Sequence, residues 1–86
     1  MPDARDQHLI EAFASVLRDA RAKIGASQES LAEAVGVDRT YIGLLEAGKR
    51  QPTLSVICGL ALAFGQSPGA LIQRVHKLSL SSKKQK

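Results

Sequence analysis

Residues 28–47, QESLAEAVGVDRTYIGLLEA, decide the fold. Leu31, Ala32 and Val35 recur at helical spacing and make the inward stripe of one short helix. Gly36 stops that helix and lets the chain reverse, and Val37 plugs the turn. Asp38 is placed to cap a second short helix, whose inner face carries Ile42 and Leu45. Two helices this short are stable only if they cross tightly, and Ala32 is small where they approach most closely. An ordinary helical hairpin has no reason to satisfy all these positions together. The pattern is that of a helix-turn-helix.

Upstream of this stretch, Leu9, Ile10, Phe13, Val16, Leu17, Ala20 and Ile24 follow a helical period and predict a first helix over residues 7–24, ended by Gly25. Ser27 caps the second helix, with Ser30 in place of the glutamate of a capping box. Gly48 closes the third. After the charged loop 49–52, Thr53 caps a fourth helix in which Leu54, Ile57, Cys58, Ala61 and Phe64 share a face, ended by Gly65. Ser67 and Pro68 open a fifth, with Leu71, Ile72 and Val75, reaching Leu78. No stretch alternates with period two. The reading is therefore an all-α fold, a compact five-helix domain over residues 7–78, between a flexible N-terminus (1–6) and a basic, disordered tail (79–86).

The 86 residues suffice for one domain and not for two. With 44% hydrophobic and 23% charged residues the chain is globular rather than disordered. Its aromatics are Phe13, Tyr41 and Phe64, so the core is built from Leu, Ile, Val and Ala, and stacking platforms for single-stranded nucleic acid or RNA are lacking. A net charge of +4 permits a polyanionic partner without demanding one. Lys83, Lys84 and Lys86 of the tail contribute to it as solvated charges, and Arg39, Lys49 and Arg50 are the more telling cations. Cys58, the one cysteine, makes neither an internal disulfide nor a metal site. His8 and His76 lack a nucleophile or carboxylate at useful spacing, and no phosphate-cradling glycine loop is present, so neither a catalytic residue nor a cofactor is expected. The absence of a secretory signal and of a membrane-spanning run makes the cytoplasm the expected compartment.

The stretch from Arg18 to Thr53 resembles the lambda-repressor-like DNA-binding domains, specifically the Xre/Cro family of bacterial and phage regulators. The residues that carry the resemblance are Arg21, Gly25, Ser27, Gln28, Leu31, Ala32, Gly36, Val37, Ile42, the run from Glu46 to Arg50, and Pro52. With the last two helices it spans residues 9–76. The string from Asp38 to Gly43 also resembles the controller proteins of restriction–modification systems, which share the fold. The resemblance implies a sequence-specific regulator of transcription that reads double-stranded DNA, with its third helix (about residues 39–47) in the major groove. Arg39 and Thr40 then match base-contacting positions, and a guanidinium can bond O6 and N7 of guanine together. Leu44, one turn on, suits a thymine methyl, and Gly43 allows close approach to the DNA. Gln28 matches a glutamine that grips a phosphate and braces the recognition helix, while Lys49 and Arg50 are phosphate contacts. Tyr41 either bonds a phosphate through its hydroxyl or packs beside the fourth helix. Arg21 and Glu46 match a structural ion pair between the first and third helices.

One such helix reads only a few base pairs, and Leu71, Ile72, Val75, Leu78 and Leu80 exceed what a small core needs. Both points lead to a homodimer on a palindromic operator, with Leu71, Ile72, Val75 and Leu78 at its interface. The competing function for the same fold is an antitoxin or adaptor whose main partner is another protein.

Overall fold

Short polar residues start the helices and glycines stop most of them. The computed structural model describes residues 6–84, which form α1 (Gln7–Ile24), α2 (Gln28–Val35), α3 (Arg39–Glu46), α4 (Leu54–Ala63) and α5 (Pro68–Lys84). No strand occurs among the described residues. Ser27 Oγ accepts from the Ser30 N–H at 3.0 Å, Thr53 Oγ1 from Val56 at 3.2 Å and Ser67 Oγ from Ala70 at 3.1 Å. Each bond satisfies a donor that the first turn of a helix leaves without an intrahelical partner. Asp38 departs from expectation: it holds the N-cap position of α3 but makes no side-chain cap bond. The residue is exposed, so water competes for its carboxylate.

Gly36 is the glycine that the helix-turn-helix cannot spare. Its φ is +87°, and an added Cβ would meet nothing within 4 Å. The penalty for a side chain there is conformational, not steric. Gly36→Ala is expected to destabilise the protein by about 1–2 kcal/mol. Denaturant titration checks this as a lowered midpoint at unchanged slope.

The core is sealed by Leu17 of α1, Leu31 of α2, Ile42 and Leu45 of α3, Leu60 of α4 and Leu71 of α5. α1 packs on α5 and α3, while α2 lies across α3 and α4. At the α2–α4 crossing a Cβ on Gly59 would come 3.1 Å from Val35 Cγ1, so glycine sets how closely these helices approach. α3 is thereby fixed from two sides with one face left outward.

The structure corrects the sequence reading at several places. Val56, Leu60 and Ala61 are the buried residues of α4, with Ile57 and Phe64 packed beside them, whereas Leu54 is 78% exposed and Cys58 is exposed. α4 is apolar almost all round, so periodicity alone cannot choose its inner face, and packing on α2 does. Leu71 and Val75, assigned to a dimer interface, are instead core residues, 1% and 4% exposed. They share the inner face of α5 with Ser79, at spacings of four residues. That face also explains why α5 runs on to Lys84 where a disordered tail was expected from residue 79. Ser79 is only 2% exposed, and its hydroxyl donates to the His76 carbonyl at 2.7 Å, so a polar residue is buried at little cost. At the other end Asp6, placed in the flexible N-terminus, caps α1 by accepting from the backbone N–H groups of His8 and Leu9. Residues 1–5 and 85–86 of the two expected flexible segments lie outside the described residues.

Candidate nucleic-acid interface

α3 turns 100° per residue, so Arg39, Thr40, Gly43 and Leu44 fall on one side of the helix, opposite Ile42 and Leu45. Arg39 and Thr40 are exposed, and Gly43 and Leu44 are half-buried. The four residues assigned to bases therefore form one surface. Tyr41 lies off that surface, half-buried and packed against the core. Lys49 and Arg50 are exposed in the loop that follows α3.

Behind the surface runs a chain of charged and amide groups. Arg39 Nη1 donates to Gln28 Oε1 at 3.1 Å, and Gln28 Nε2 donates to Glu46 Oε1 at 2.9 Å. Arg21 holds the same carboxylate through two bonds, Nε to Oε2 at 2.6 Å and Nη2 to Oε1 at 3.1 Å. Arg21 Nη1 also donates to the Ala26 carbonyl at 2.9 Å, tying α1 to the start of α2. Arg21 and Glu46, expected to pair, are thus brought together, and Gln28 joins them to the outward face of α3. An added Cβ on Gly43 would lie 3.9 Å from Gln28 Oε1, in ordinary contact with the chain.

Glu46 is 6% exposed. Burial pushes its carboxyl pKa up. The hydrogen bonds from Arg21 and Gln28 and the charges of Arg21 and Arg18 outweigh burial and hold it below the ordinary carboxylate value. The Arg21 pKa is raised, first by its bond to Glu46, so the pair is ionised on both sides.

Sequence reasoning gave Arg18 no role. Its Nη1 donates to the Glu46 main-chain carbonyl at 2.5 Å, placing a cation at the C-terminal end of α3, where the helix dipole favours one. The signal was available: Arg18 stands three residues before Arg21, on the same side of α1. Among the described residues, no group of three or more His, Cys, Asp or Glu could hold a metal ion. No single helix there is long and apolar enough to cross a membrane.

The sequence pattern of the family described as Helix-turn-helix matches residues 17–71. The control protein C.SmaI of Serratia marcescens is 41% identical over 76 residues, which cover 86% of this chain and 90% of that protein. Among solved structures, the restriction-modification controller protein C.AhdI from Aeromonas hydrophila superposes with a TM-score of 0.69 at 40% identity, covering 72% of this chain and 94% of its own. The controller protein C.Esp1396I, solved as a tetramer in complex with its natural 35-base-pair operator, gives a TM-score of 0.73 at 26% identity, covering 84% and 95%. Those matches take in the crossing of α2 and α3 and most of the residues around it. The chain belongs to the helix-turn-helix family, among the Xre/Cro-type DNA-binding regulators of transcription.

Proposed function

We propose that this chain is a controller-type regulator that binds a palindromic operator as a homodimer in the cytoplasm, acting by binding and not by catalysis. The observation that carries the reading is the single outward surface made by Arg39, Thr40, Gly43 and Leu44 on a helix held from behind. Arg39 reads a guanine from the first turn of α3, Thr40 and Leu44 meet neighbouring bases, and Gly43 keeps the helix close to the groove. Lys49 and Arg50 grip phosphates and set the register. Gln28, matched by resemblance to a phosphate contact, spends its side-chain amide on Glu46 and Arg39 and braces α3 from behind. Tyr41, packed on the core, supports this surface, and its hydroxyl is assigned to a phosphate at the edge.

Pairing of two protomers uses the apolar surface that the core leaves over. Ile72 and Leu78, 42% and 39% exposed, remain from the set assigned by sequence. Leu54 and Leu62, 78% and 81% exposed, stand eight residues apart on α4 with Cys58 midway, and they make a second apolar surface. Ile72 borders an apolar groove of about 300 Å³, lined also by Leu9, Phe13, Pro52 and Ile57, that offers room for a partner side chain. The relative solved as a tetramer on operator DNA supports assembly of this kind.

Selection of bound duplexes from a random library tests the reading. An enriched palindrome is expected, with a guanine preference that relaxes in Arg39→Ala at a loss of roughly 1–3 kcal/mol. Lys49→Ala is expected to weaken binding to all duplexes alike and to lower the salt slope by about one. Binding that ignores both salt and sequence would point instead to an adaptor with a protein partner.

A further inference from the structure

We infer that Glu46 is a positioning residue for base recognition: by fixing which way round the Gln28 amide sits, it aims Arg39 at the base. The inference rests on the reading of Arg39 as a base contact. An ionised carboxylate only accepts hydrogen bonds, and a guanidinium only donates them. Gln28 lies between one of each, with Glu46 Oε1 2.9 Å from its Nε2 and Arg39 Nη1 3.1 Å from its Oε1. Both neighbours demand the same orientation, nitrogen inward and oxygen outward. A flipped amide would set oxygen against carboxylate and N–H against N–H.

The inner anchor is firm. Arg21 bonds both oxygens of Glu46, and the carboxylate is buried and held ionised. The polarity set there passes through one amide to the outer surface of α3, so a residue with no atom on that surface decides how Arg39 is presented. Arg39 gives up one of its five N–H donors to Gln28 and keeps the others for a two-point contact with guanine. An arginine without this tether keeps its charge but samples many rotamers, and it then meets any base or phosphate as a mobile cation.

The prediction concerns discrimination and not overall affinity. Glu46→Gln replaces the acceptor by an amide that can turn a donor toward Gln28 and so invert it. Folding of each variant is checked by circular dichroism, and binding is measured well below its melting point. At fixed salt three duplexes are compared: the selected operator, the operator with the guanine pair read by Arg39 replaced, and an unrelated sequence. Glu46→Gln is expected to cut the preference for guanine at that pair about five-fold or more, with affinity for the unrelated duplex nearly unchanged. Adding it to Arg39→Ala should cost no further preference, because both remove the same aimed contact. Gln28→Met, which leaves the Arg21–Glu46 pair intact, serves as the second variant if Glu46→Gln folds poorly, and the same selective loss is expected of it. Equal weakening on all three duplexes, or an unchanged guanine preference while Arg39→Ala loses it, would overturn the inference and leave the reading of Arg39 standing. If Arg39→Ala itself keeps the preference, the base contact is refuted and the positioning role with it.

Discussion

Glu46→Ala is expected to destabilise the protein by about 3 kcal/mol, the low end of what breaking a buried ion pair costs. The low end applies because the Arg21 side chain is 24% exposed and recovers some hydration when its partner is removed. For a domain of this size the loss corresponds to a melting midpoint lower by roughly 12–24 °C. Three helices lose a tie at once. Arg21 of α1 and Gln28 of α2 both bond the Glu46 carboxylate at the end of α3. The same site imposes a pH dependence. The folded carboxyl titrates below its unfolded value, so the folded state binds fewer protons there and stability rises with pH through that interval. Glu46 therefore contributes fully above the unfolded pKa of about 4.3, and the contribution is lost as pH falls through the lower, folded value. Denaturant melts of the wild type and of Glu46→Gln, taken from pH 7 downward, are expected to differ by a constant amount above about pH 5 and to converge below it. Parallel curves across the whole range would mean that the pair does not shift the titration of Glu46.

How far the chain can be read before it folds depends on whether a position's role is set locally. The α2–turn–α3 unit was legible because its requirements are local: a positive φ at Gly36, a small residue at Ala32, apolar returns at Ile42 and Leu45. Three of its neighbouring caps, Ser27, Thr53 and Ser67, follow from the same short-range chemistry. The outward grouping of Arg39, Thr40, Gly43 and Leu44 was legible too, since it needs only the pitch of a helix whose inner face is known. α4 was not. A helix that is apolar on every side carries no phase, and its inner face was set by Gly59 seating against Val35, a contact between residues far apart in sequence. Ser79 hid the length of α5 in a different way, by satisfying its hydroxyl on its own helix and so standing as a polar residue in an apolar row.

The candidate site divides along the same line. That Arg21 pairs with Glu46 and that Gln28 braces the recognition helix both followed from resemblance. The continuous chain from Arg21 to Arg39 could not be read, because it depends on the relative orientation of α1, α2 and α3. Leu71 and Val75 read as surplus apolar residues for the same reason. Composition counts apolar side chains, but only the packing of α5 on α1 shows which of them the core consumes.

Two leucines on α4 separate folding from assembly. Leu60 is fully buried, 0% exposed, and Leu62 is 81% exposed two residues later. Leu60→Ala removes side-chain atoms from the sealed centre and leaves a cavity that helices anchored at both ends cannot close. A loss of about 2–5 kcal/mol is expected, toward the upper part of that range because Leu60 is fully enclosed. In a domain of 86 residues such a loss consumes much of the whole stability, so the variant should melt early or express poorly. Its melting point should fall equally at every protein concentration. Leu62→Asp touches nothing in that core, and within a single protomer it is expected to shift stability by no more than about 0.5 kcal/mol. Its effect lies in pairing: a carboxylate on the apolar surface of α4, repeated across a two-fold axis, sets like charges in a desolvated contact. The wild-type melting point is expected to rise with protein concentration, as it does when folding is linked to association, and that dependence should vanish in Leu62→Asp. Sedimentation would show the variant as a monomer, and its binding to a palindrome would fall to that of a single half-site. If Leu62→Asp remains a dimer, pairing runs through Ile72 and Leu78 on α5 and the α4 surface is excluded from it.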